Sequence, residues 1–246
     1  MSKRFLREEM LFGPAAMEIL RRSSVIVFGL GGVGSWCAEG LARAGIGSLT
    51  LVDQDTADES NINRQLCALN STLGTPKAEI MAARVCDINP EIDVRALVAR
   101  YEAQSRERFF DRRYDYIVDC IDLVSCKVDL IETARRLDIP IISALGAGNK
   151  KNAEMLTVTD ISKTAGDPLA RVVRKELRKR GIEHLPVVFS GEQAIKPADA
   201  ETPPPGRRSV PGSLVWVTAS AGMLLCSHVV QALLADGTTR EPAKGT

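Results

Sequence analysis

A glycine-rich turn near the start of the chain is the clearest candidate for chemistry. An apolar run, Val25–Phe28, leads directly into the segment GLGGVG, residues 29–34, which has the spacing G-x-G-x-x-G. In such a turn Gly29 permits the tight bend, Gly31 lets a phosphate approach the backbone, and Gly34 lets the helix pack closely on the strand. The following helix adds unpaired N–H groups and the positive end of its dipole. The turn therefore predicts a site for a phosphate-bearing nucleotide.

A carboxylate and a polar cluster follow the next predicted strand. Asp53 comes about 20 positions after the last glycine, the spacing at which a carboxylate reaches a ribose hydroxyl. These features alone would also fit a nicotinamide dehydrogenase. The cluster that follows favours a triphosphate, because an arginine beside the ribose carboxylate suits phosphate charge better than a nicotinamide ring. Its members are Asp55, Asn61, Arg64 and Gln65.

Two further charged residues lie where α/β proteins bind ligands. Lys77 stands at the start of a predicted helix, where a cation is unfavourable against the helix dipole unless an anion lies nearby. Asp122 follows the strand that ends at Ile121, and so lies at the carboxyl edge of the predicted sheet, the usual ligand edge. We therefore expect Lys77 to contact phosphate and Asp122 to support the reaction, and we expect Asp119 to be structural.

The order of these motifs resembles the ThiF-type adenylating superfamily, which uses ATP to convert a carboxylate into an acyl-adenylate. The segments that carry the resemblance are VDQD (52–55), SNINRQ (60–65), GTPK (74–77), NP (89–90) and DCID (119–122). The resemblance implies a Rossmann-like adenylating fold, ATP as the nucleotide, and Mg²⁺ held with the ATP by Asp122. The implied nucleotide-binding residues are Gly29, Gly31, Gly32, Gly34, Asp53, Asp55, Asn61, Arg64, Gln65 and Lys77. Asp55 is alternatively a residue that orients its loop or the metal.

The N-terminal segment RFLREEM extends the resemblance to the subunit arrangement. It is similar to a segment whose arginine, in the superfamily, reaches the ATP of the partner subunit, and Arg7 matches that arginine. The resemblance thus implies a homodimer, with Arg7, Arg64, Lys77 and Asp122 as the catalytic residues. The alternative for Arg7 is a solvated helix arginine.

Composition limits the other classes of protein. The net charge of +1 excludes a molecule that binds nucleic acid through its overall charge, so any basic surface must be local. The six cysteines (37, 67, 86, 120, 126 and 226) show no C-x-x-C spacing, so we expect no structural zinc. The first ten residues lack an apolar signal core, which predicts a cytoplasmic protein with free thiols. The uncharged run 214–235 is long enough to span a membrane, but its polar and small residues favour a buried helix.

Alternating strand and helix patterns predict an α/β fold with a doubly wound, mostly parallel sheet and a C-terminal extension. Strands are expected near 24–29, 48–53, 93–98, 114–121, 139–145, 154–161 and 185–190. Helices are expected near 14–22, 33–45, 76–88, 103–111, 124–137, 167–180 and 214–235. We expect one domain over 1–246, with a nucleotide-binding part at 14–145 and a substrate-facing part at 146–246 that includes a mobile loop at 192–212.

The second half resembles one branch of the superfamily, the tRNA threonylcarbamoyladenosine dehydratases. The matching segments are LGAGNK (145–150), the long segment 160–182, VVFSGE (187–192) and PGS (211–213). Activators of sulfur-carrier proteins usually have D-N-x-x-x-R where this chain has Asp122 through Lys127. The resemblance implies a tRNA substrate. It leaves open adenylation of a sulfur-carrier C-terminus, and a sulfur-acceptor role beside a cysteine desulfurase, for which Cys126 is the best thiolate candidate.

A basic stripe on the predicted helix 167–180 is the candidate tRNA contact. Its cations recur at i, i+3, i+4, i+7 and i+8, which is one continuous helix face, and they are Arg171, Arg174, Lys175, Arg178 and Lys179. We expect Val172, Val173 and Leu177 to pack beneath the stripe, and Lys150, Lys151, Arg207 and Arg208 to extend it. The alternative is an ordinary solvated face.

Overall fold

A seven-stranded, mostly parallel sheet forms the centre of the protein. The computed structural model describes residues 3–196 and 211–239. The strands are β1 (Ser24–Phe28), β2 (Ser48–Asp53), β3 (Asp93–Val98), β4 (Tyr116–Asp119), β5 (Ile141–Ala144), β6 (Leu156–Asp160) and β7 (Pro186–Ser190). Their order across the sheet is β3-β2-β1-β4-β5-β7-β6, and only the β6–β7 pair is antiparallel. The predicted doubly wound α/β sheet is confirmed.

Helices cover both faces of this sheet and form two apolar layers with it. They are α1 (Leu6–Phe12), α2 (Pro14–Arg22), α3 (Gly34–Arg43), α4 (Lys77–Ile88), α5 (Val124–Arg136), α6 (Pro168–Arg178) and α7 (Val215–Thr239). One layer joins the sheet to α2, α3, α4 and α7, and the other joins it to α5 and α6. Strand β1 is buried on both sides from Val25 to Phe28, which is why its sequence is apolar without alternation.

The chain reverses its direction of winding between β1 and β4. From β1 the chain builds outward through β2 to β3, and then returns to place β4 and β5 on the other side of β1. Because β1 pairs in parallel with both neighbours, the carboxyl ends Phe28, Val52 and Asp119 lie side by side. The crevice above such a reversal is where open α/β sheets bind their ligands.

Helix α7 is the apolar segment that raised the membrane alternative. Its residues Val215–Gly237 are long and apolar enough to cross a membrane by length and composition, and half of the most apolar window is buried within the protein. Val217, Leu225 and Val229 are fully buried among α3, α2 and the sheet. This packing favours the buried-helix interpretation.

Two local predictions differ from the structure. The expected helix at 103–111 is a 3-10 helix over Ala103–Phe109, because Tyr101 and Phe109 both pack edge-on against Phe28, with ring centroids 5.2 and 5.5 Å apart, and anchor the segment at both ends. The short helix α1 was not predicted. Of the predicted loop at 192–212, residues 197–210, including Arg207 and Arg208, lie outside the described residues.

Candidate active site

The glycine turn lies at the carboxyl end of β1, in the crevice beside β4. Gly29 has φ +86°, and a Cβ there would lie 2.7 Å from the carbonyl oxygen of Cys120. A Cβ on Gly34, the first residue of α3, would lie 1.8 Å from the carbonyl oxygen of Gly29. Gly31 is different, since its nearest neighbour would be Gln65 Nε2 at 3.8 Å. The outer glycines are thus required by packing, whereas the backbone at Gly31 has room for a phosphate to approach.

Asp53 ties the end of β2 to this turn. Its Oδ2 accepts a hydrogen bond from the N–H of Leu30 at 2.6 Å, and its Oδ1 accepts one from the N–H of Asp55 at 2.8 Å. Burial raises the pKa of the Asp53 carboxyl, and the two backbone N–H groups partly oppose that shift. A poorly hydrated carboxylate gains from a further hydroxyl donor, which is consistent with the expected ribose contact. That contact stays a prediction.

Lys77 begins α4, as expected, and is buried there. Its ammonium lies 3.4 Å from Asp55 Oδ2, and its backbone N–H donates to the Asp55 carbonyl at 2.9 Å. Asp55 therefore offsets part of the electrostatic cost of a cation at the start of a helix, a cost that the sequence suggested a phosphate would offset. Asp55 thereby orients Lys77, a role close to the loop-orienting alternative.

The segment 60–65 closes the site opposite the glycine turn. Arg64 donates from Nη1 to the Ser60 carbonyl at 2.8 Å and to Asn63 Oδ1 at 2.9 Å, so its guanidinium is held by its own loop. Gln65 is buried and faces Gly31. Asn61 is also buried, and its Oδ1 has no hydrogen-bond partner among the described residues. An unpaired buried acceptor costs about 1–3 kcal/mol, which is expected at a functional loop rather than at a purely structural one.

A fully buried ion pair supports the end of β4. Asp119 Oδ2 accepts from Lys127 Nζ at 2.7 Å and from Ser143 Oγ at 2.7 Å, while Oδ1 accepts from the N–H of Ile121 at 3.0 Å. The structural interpretation of Asp119 agrees with these contacts. Lys127 as the partner of Asp119 was not predicted, because the sequence shows only a lysine within the first turns of α5. The pair holds the turn that carries the exposed Asp122 at the carboxyl edge.

Arg7 belongs to helix α1, and the residue before this helix packs near the C-terminal end of α3. Arg7 is an exposed residue of α1, two positions after Phe5, whose ring lies 3.6 Å from a Cβ built on Gly45. Gly45 follows the C-terminal end of α3, and the ten residues of α3 separate it from the turn by about 15 Å. The predicted role of Arg7 at the site of a partner subunit stays a prediction.

The cysteines near the crevice are poor nucleophiles. Burial raises the pKa of the thiols of Cys37, Cys67 and Cys120, and it raises that of Cys226 to about 12. Cys126, the thiolate candidate, is buried under the start of α5. These environments do not favour a persulfide-accepting cysteine.

The basic face of α6 is smaller than the five-residue stripe predicted. Arg174 turns inward and donates to the Thr164 carbonyl at 2.6 Å, and Lys179 pairs with Glu176 at 2.6 Å. Of the five cations, Arg171, Lys175 and Arg178 form neither an ion pair nor a side-chain hydrogen bond within the described part of the chain. All five line a shallow depression of about 470 Å³.

Two of the residues expected around this stripe lie elsewhere. Val172 is exposed, because the buried stripe of α6 runs through Ala170, Val173 and Leu177 and places position 172 on another face. Lys150 is fully buried and so does not extend the basic surface.

The first turn of α7 is a neighbour of the site that the sequence did not reveal. Thr218 packs on the glycine turn, with its side chain 3.3 Å from a Cβ built on Gly32. Asn63 Nδ2 donates to the Ser213 carbonyl at 3.0 Å, just before the helix. An exposed Trp216 lies between these contacts. The signal in the sequence was the PGS segment, whose position against the turn depends on tertiary packing.

Comparison with known proteins gives consistent matches over nearly the whole chain. The model of the ThiF family matches residues 5–245. The tRNA threonylcarbamoyladenosine dehydratase of Bacillus subtilis is 42% identical over 96% of this chain and 96% of its own length. The protein of the same name from Escherichia coli is 34% identical over 95% of this chain and 94% of its own length. A crystal structure of the Escherichia coli protein with ATP has a TM-score of 0.88 at 34% identity and covers 97% of both chains.

Proposed function

Because the chain belongs to the ThiF family, we propose that it uses ATP to cyclise N6-threonylcarbamoyladenosine in tRNA through an acyl-adenylate. The full-length relatives that carry the name of this activity support the proposal, as does the ATP complex of one of them. The main structural support for the proposal is the glycine turn, which lies where the direction of winding reverses between β1 and β4. The turn is open at Gly31 and is flanked by Lys77 and the loop of Arg64. These groups suit a triphosphate rather than a nicotinamide.

The reaction has two steps. The threonyl carboxylate attacks the α-phosphate of ATP, which forms the acyl-adenylate and releases pyrophosphate. The carbamoyl group of the same side chain then attacks the activated carbonyl, AMP leaves, and the substrate has lost one water. The second nucleophile is tethered, so the ring closes without a protein nucleophile, in agreement with the buried cysteines.

The protein supplies positive charge where phosphate charge develops. The N–H groups at the start of α3, together with Lys77 and Arg64, stabilise the pyrophosphate as it leaves. Asp122 is a single exposed carboxylate at the ligand edge, and no group of three or more His, Cys, Asp or Glu residues that could hold a metal occurs among the described residues. This donor set fits Mg²⁺ bound by one carboxylate and by ATP phosphates, where the ion would neutralise phosphate charge.

The proposed activity is tested by mass spectrometry of tRNA nucleosides. Incubation of the protein with ATP and tRNA bearing the threonylcarbamoyl group should convert that nucleoside into one lighter by a water, with one AMP released per conversion. The digestion must be mild because the cyclic product is labile. ATP turnover driven by a sulfur-carrier protein, with no change in the tRNA, would instead support adenylation of that carrier. Transfer of labelled sulfur to a cysteine would support the sulfur-acceptor role, and a partnership with a cysteine desulfurase stays a prediction.

We further propose that the exposed cations of α6 bind the tRNA backbone in the cytoplasm. Arg171, Lys175 and Arg178 recur at i, i+4 and i+7, so their guanidinium and ammonium groups project from one side of the helix. These three cations form no ion pair within the described part of the chain. Because the net charge of the chain is close to zero, a basic stripe confined to one helix fits the phosphates of a nucleic acid as its partner.

Charge reversal on α6 should weaken tRNA binding. Arg171→Glu with Lys175→Glu is expected to lower the tRNA affinity and to reduce the log–log salt slope by about 0.7 to 0.9 for each phosphate that the protein no longer neutralises. ATP affinity should stay unchanged, since the helix lies away from the glycine turn. Filter binding at several salt concentrations measures both the affinity for tRNA and the slope. Lys179→Glu is the matched control, because Lys179 already pairs with Glu176 and should contribute less. An unaltered slope in the double variant would remove α6 from the tRNA interface.

We also propose a homodimer in which α1 contacts the partner subunit. This helix exposes Leu6, Phe12, Met10 (68%) and Leu11 (84%), a large apolar surface for a seven-residue helix. Arg7 lies within it and is exposed. A second copy of the chain would cover the apolar residues and complete the site with Arg7.

A further inference from the structure

Lys150 is one of two lysines in the described residues whose side chains are fully buried. The other, Lys127, belongs to the support of β4. Lys150 lies after β5, where its ammonium donates to the Glu192 carbonyl and lies 3.7 Å from Asp167 Oδ2. Burial of an ammonium group is costly unless the group is paired. The segments that Lys150 connects therefore indicate what it does in the fold.

On one side Lys150 joins the start of the basic helix. Asp167 caps α6 by accepting from the N–H of Ala170 at 2.7 Å with its other oxygen. The Asp167 carboxylate also lies against Gly146, which has φ +58° and where a Cβ would be only 2.2 Å from Oδ2. The N-terminal end of α6 is therefore fixed against the turn that follows β5 at the ligand edge of the sheet.

On the other side the same segment reaches the nucleotide turn. The Glu192 carboxylate accepts from the N–H groups of Lys151 and Asn152, each at 3.0 Å. The Lys151 carbonyl accepts from the indole N–H of Trp216 at 2.8 Å, and Trp216 begins the turn of α7 that packs on Gly32. A continuous set of contacts thus runs from α6 through Lys150 to the glycine turn.

We infer that Lys150 is a positioning residue for the tRNA substrate: it fixes α6 relative to the nucleotide turn, so that tRNA bound to Arg171 and Lys175 presents its modified nucleoside to ATP. The inference rests on the proposed function. A lysine is required because one ammonium satisfies a carbonyl and a carboxylate from two separate segments, whereas an apolar side chain would leave both groups unpaired in the interior.

The test measures the kinetics with tRNA and the binding of ATP separately in the variant Lys150→Met. We expect kcat/KM for tRNA to fall by about 10- to 100-fold, the scale of a small misplacement of bound substrate. The dissociation constant for ATP, measured by calorimetry, should change by less than about twofold, because the groups that hold the nucleotide are untouched. Val85→Ala, a fully buried position of α4, is the control for reduced stability alone. If Lys150→Met lowers ATP binding and tRNA kinetics in the same proportion as Val85→Ala, Lys150 is only structural and the inference is wrong.

A second variant covers the case in which Lys150→Met does not fold. Asp167→Asn keeps a side chain that caps helices but removes the charge that faces Lys150. It should shift tRNA kinetics in the same direction by a smaller factor, with ATP binding unchanged. Wild-type tRNA kinetics in this variant, beside an unfolded Lys150→Met, would overturn the inference.

A double-mutant cycle distinguishes failure of this inference from failure of the proposed tRNA face. If Lys150 acts through α6, the decrease in kcat/KM caused by Arg171→Glu with Lys175→Glu should be smaller in the Lys150→Met background than in the wild type. Strict additivity would overturn the inference. A wild-type rate in Arg171→Glu with Lys175→Glu would mean instead that α6 does not bind tRNA, which is a failure of the proposed function.

Discussion

Pyrophosphate release should fall by about 100- to 1,000-fold in Asp122→Ala and in Lys77→Met, the range found when a preorganised charge-stabilising group is removed from an active site. Lys77 is the buried cation beside the glycine turn, and its charge opposes that of the leaving pyrophosphate. Asp122 is the exposed carboxylate at the end of β4 that is proposed to hold Mg²⁺. The measurement is tRNA-dependent pyrophosphate release from ATP.

Folding of these variants is not expected to limit the result. Asp122 is exposed, so its replacement by alanine leaves no cavity in the core. Methionine at position 77 retains the buried aliphatic volume, and the freed Asp55 is exposed to water. Glu79→Ala and Ser125→Ala replace neighbours in the helices α4 and α5 and serve as matched controls. A wild-type rate in either test variant would exclude that residue from the mechanism.

The backbone geometry of the candidate nucleotide site was predictable because its determinants are local. Gly29 and Gly34 are required by contacts within one strand–turn–helix unit and the strand beside it, and the position of Asp53 follows from the length of the next unit. The same holds for Lys77, which begins α4 as predicted. In such units the spacing along the chain determines the spacing in the fold.

The two fully buried lysines of the described residues show the limit of prediction from local sequence. Lys127 and Lys150 look like ordinary surface lysines in the sequence, because the partner of each comes from another element. Asp119 ends β4, and Asp167 caps a helix that is separated from Lys150 by a whole strand. Burial of a charge is a property of tertiary packing, so no local pattern predicts it.

The basic helix shows an intermediate case. Its periodicity correctly placed Val173 and Leu177 in the core and predicted a charged outer face. The periodicity could not show that Arg174 would donate to the Thr164 carbonyl, or that Lys179 would pair with Glu176. A cation on a helix face is available to a ligand only if neighbouring groups do not already bind it. Those neighbours are known only from the fold.

Mixed dimers should restore activity that neither parent variant has. If Arg7 completes the site of the partner subunit, a dimer of one Arg7→Ala chain and one Asp122→Ala chain contains one intact site. That site has Asp122 from the first chain and Arg7 from the second. The other site lacks both groups. Two different affinity tags on coexpressed chains isolate the mixed dimer, which should show about half of the wild-type rate of pyrophosphate release per dimer, as one of two symmetry-related sites is complete.

The mixed dimer also distinguishes action of Arg7 across the interface from action within its own chain. Phe5, just before α1, packs near Gly45, which follows the C-terminal end of α3, whereas the glycine turn precedes the other end of that helix. If Arg7 nevertheless acted within its own chain, both sites of the mixed dimer would lack one group and no activity would return. Dimers of two Arg7→Ala chains provide the baseline. Light scattering must show a dimer for the wild type, and replacing Met10 and Leu11 by serine should shift it toward monomer while lowering activity, because the interface that delivers Arg7 is disrupted. A monomeric wild type, or a mixed dimer no more active than its parents, would contradict a site shared between subunits.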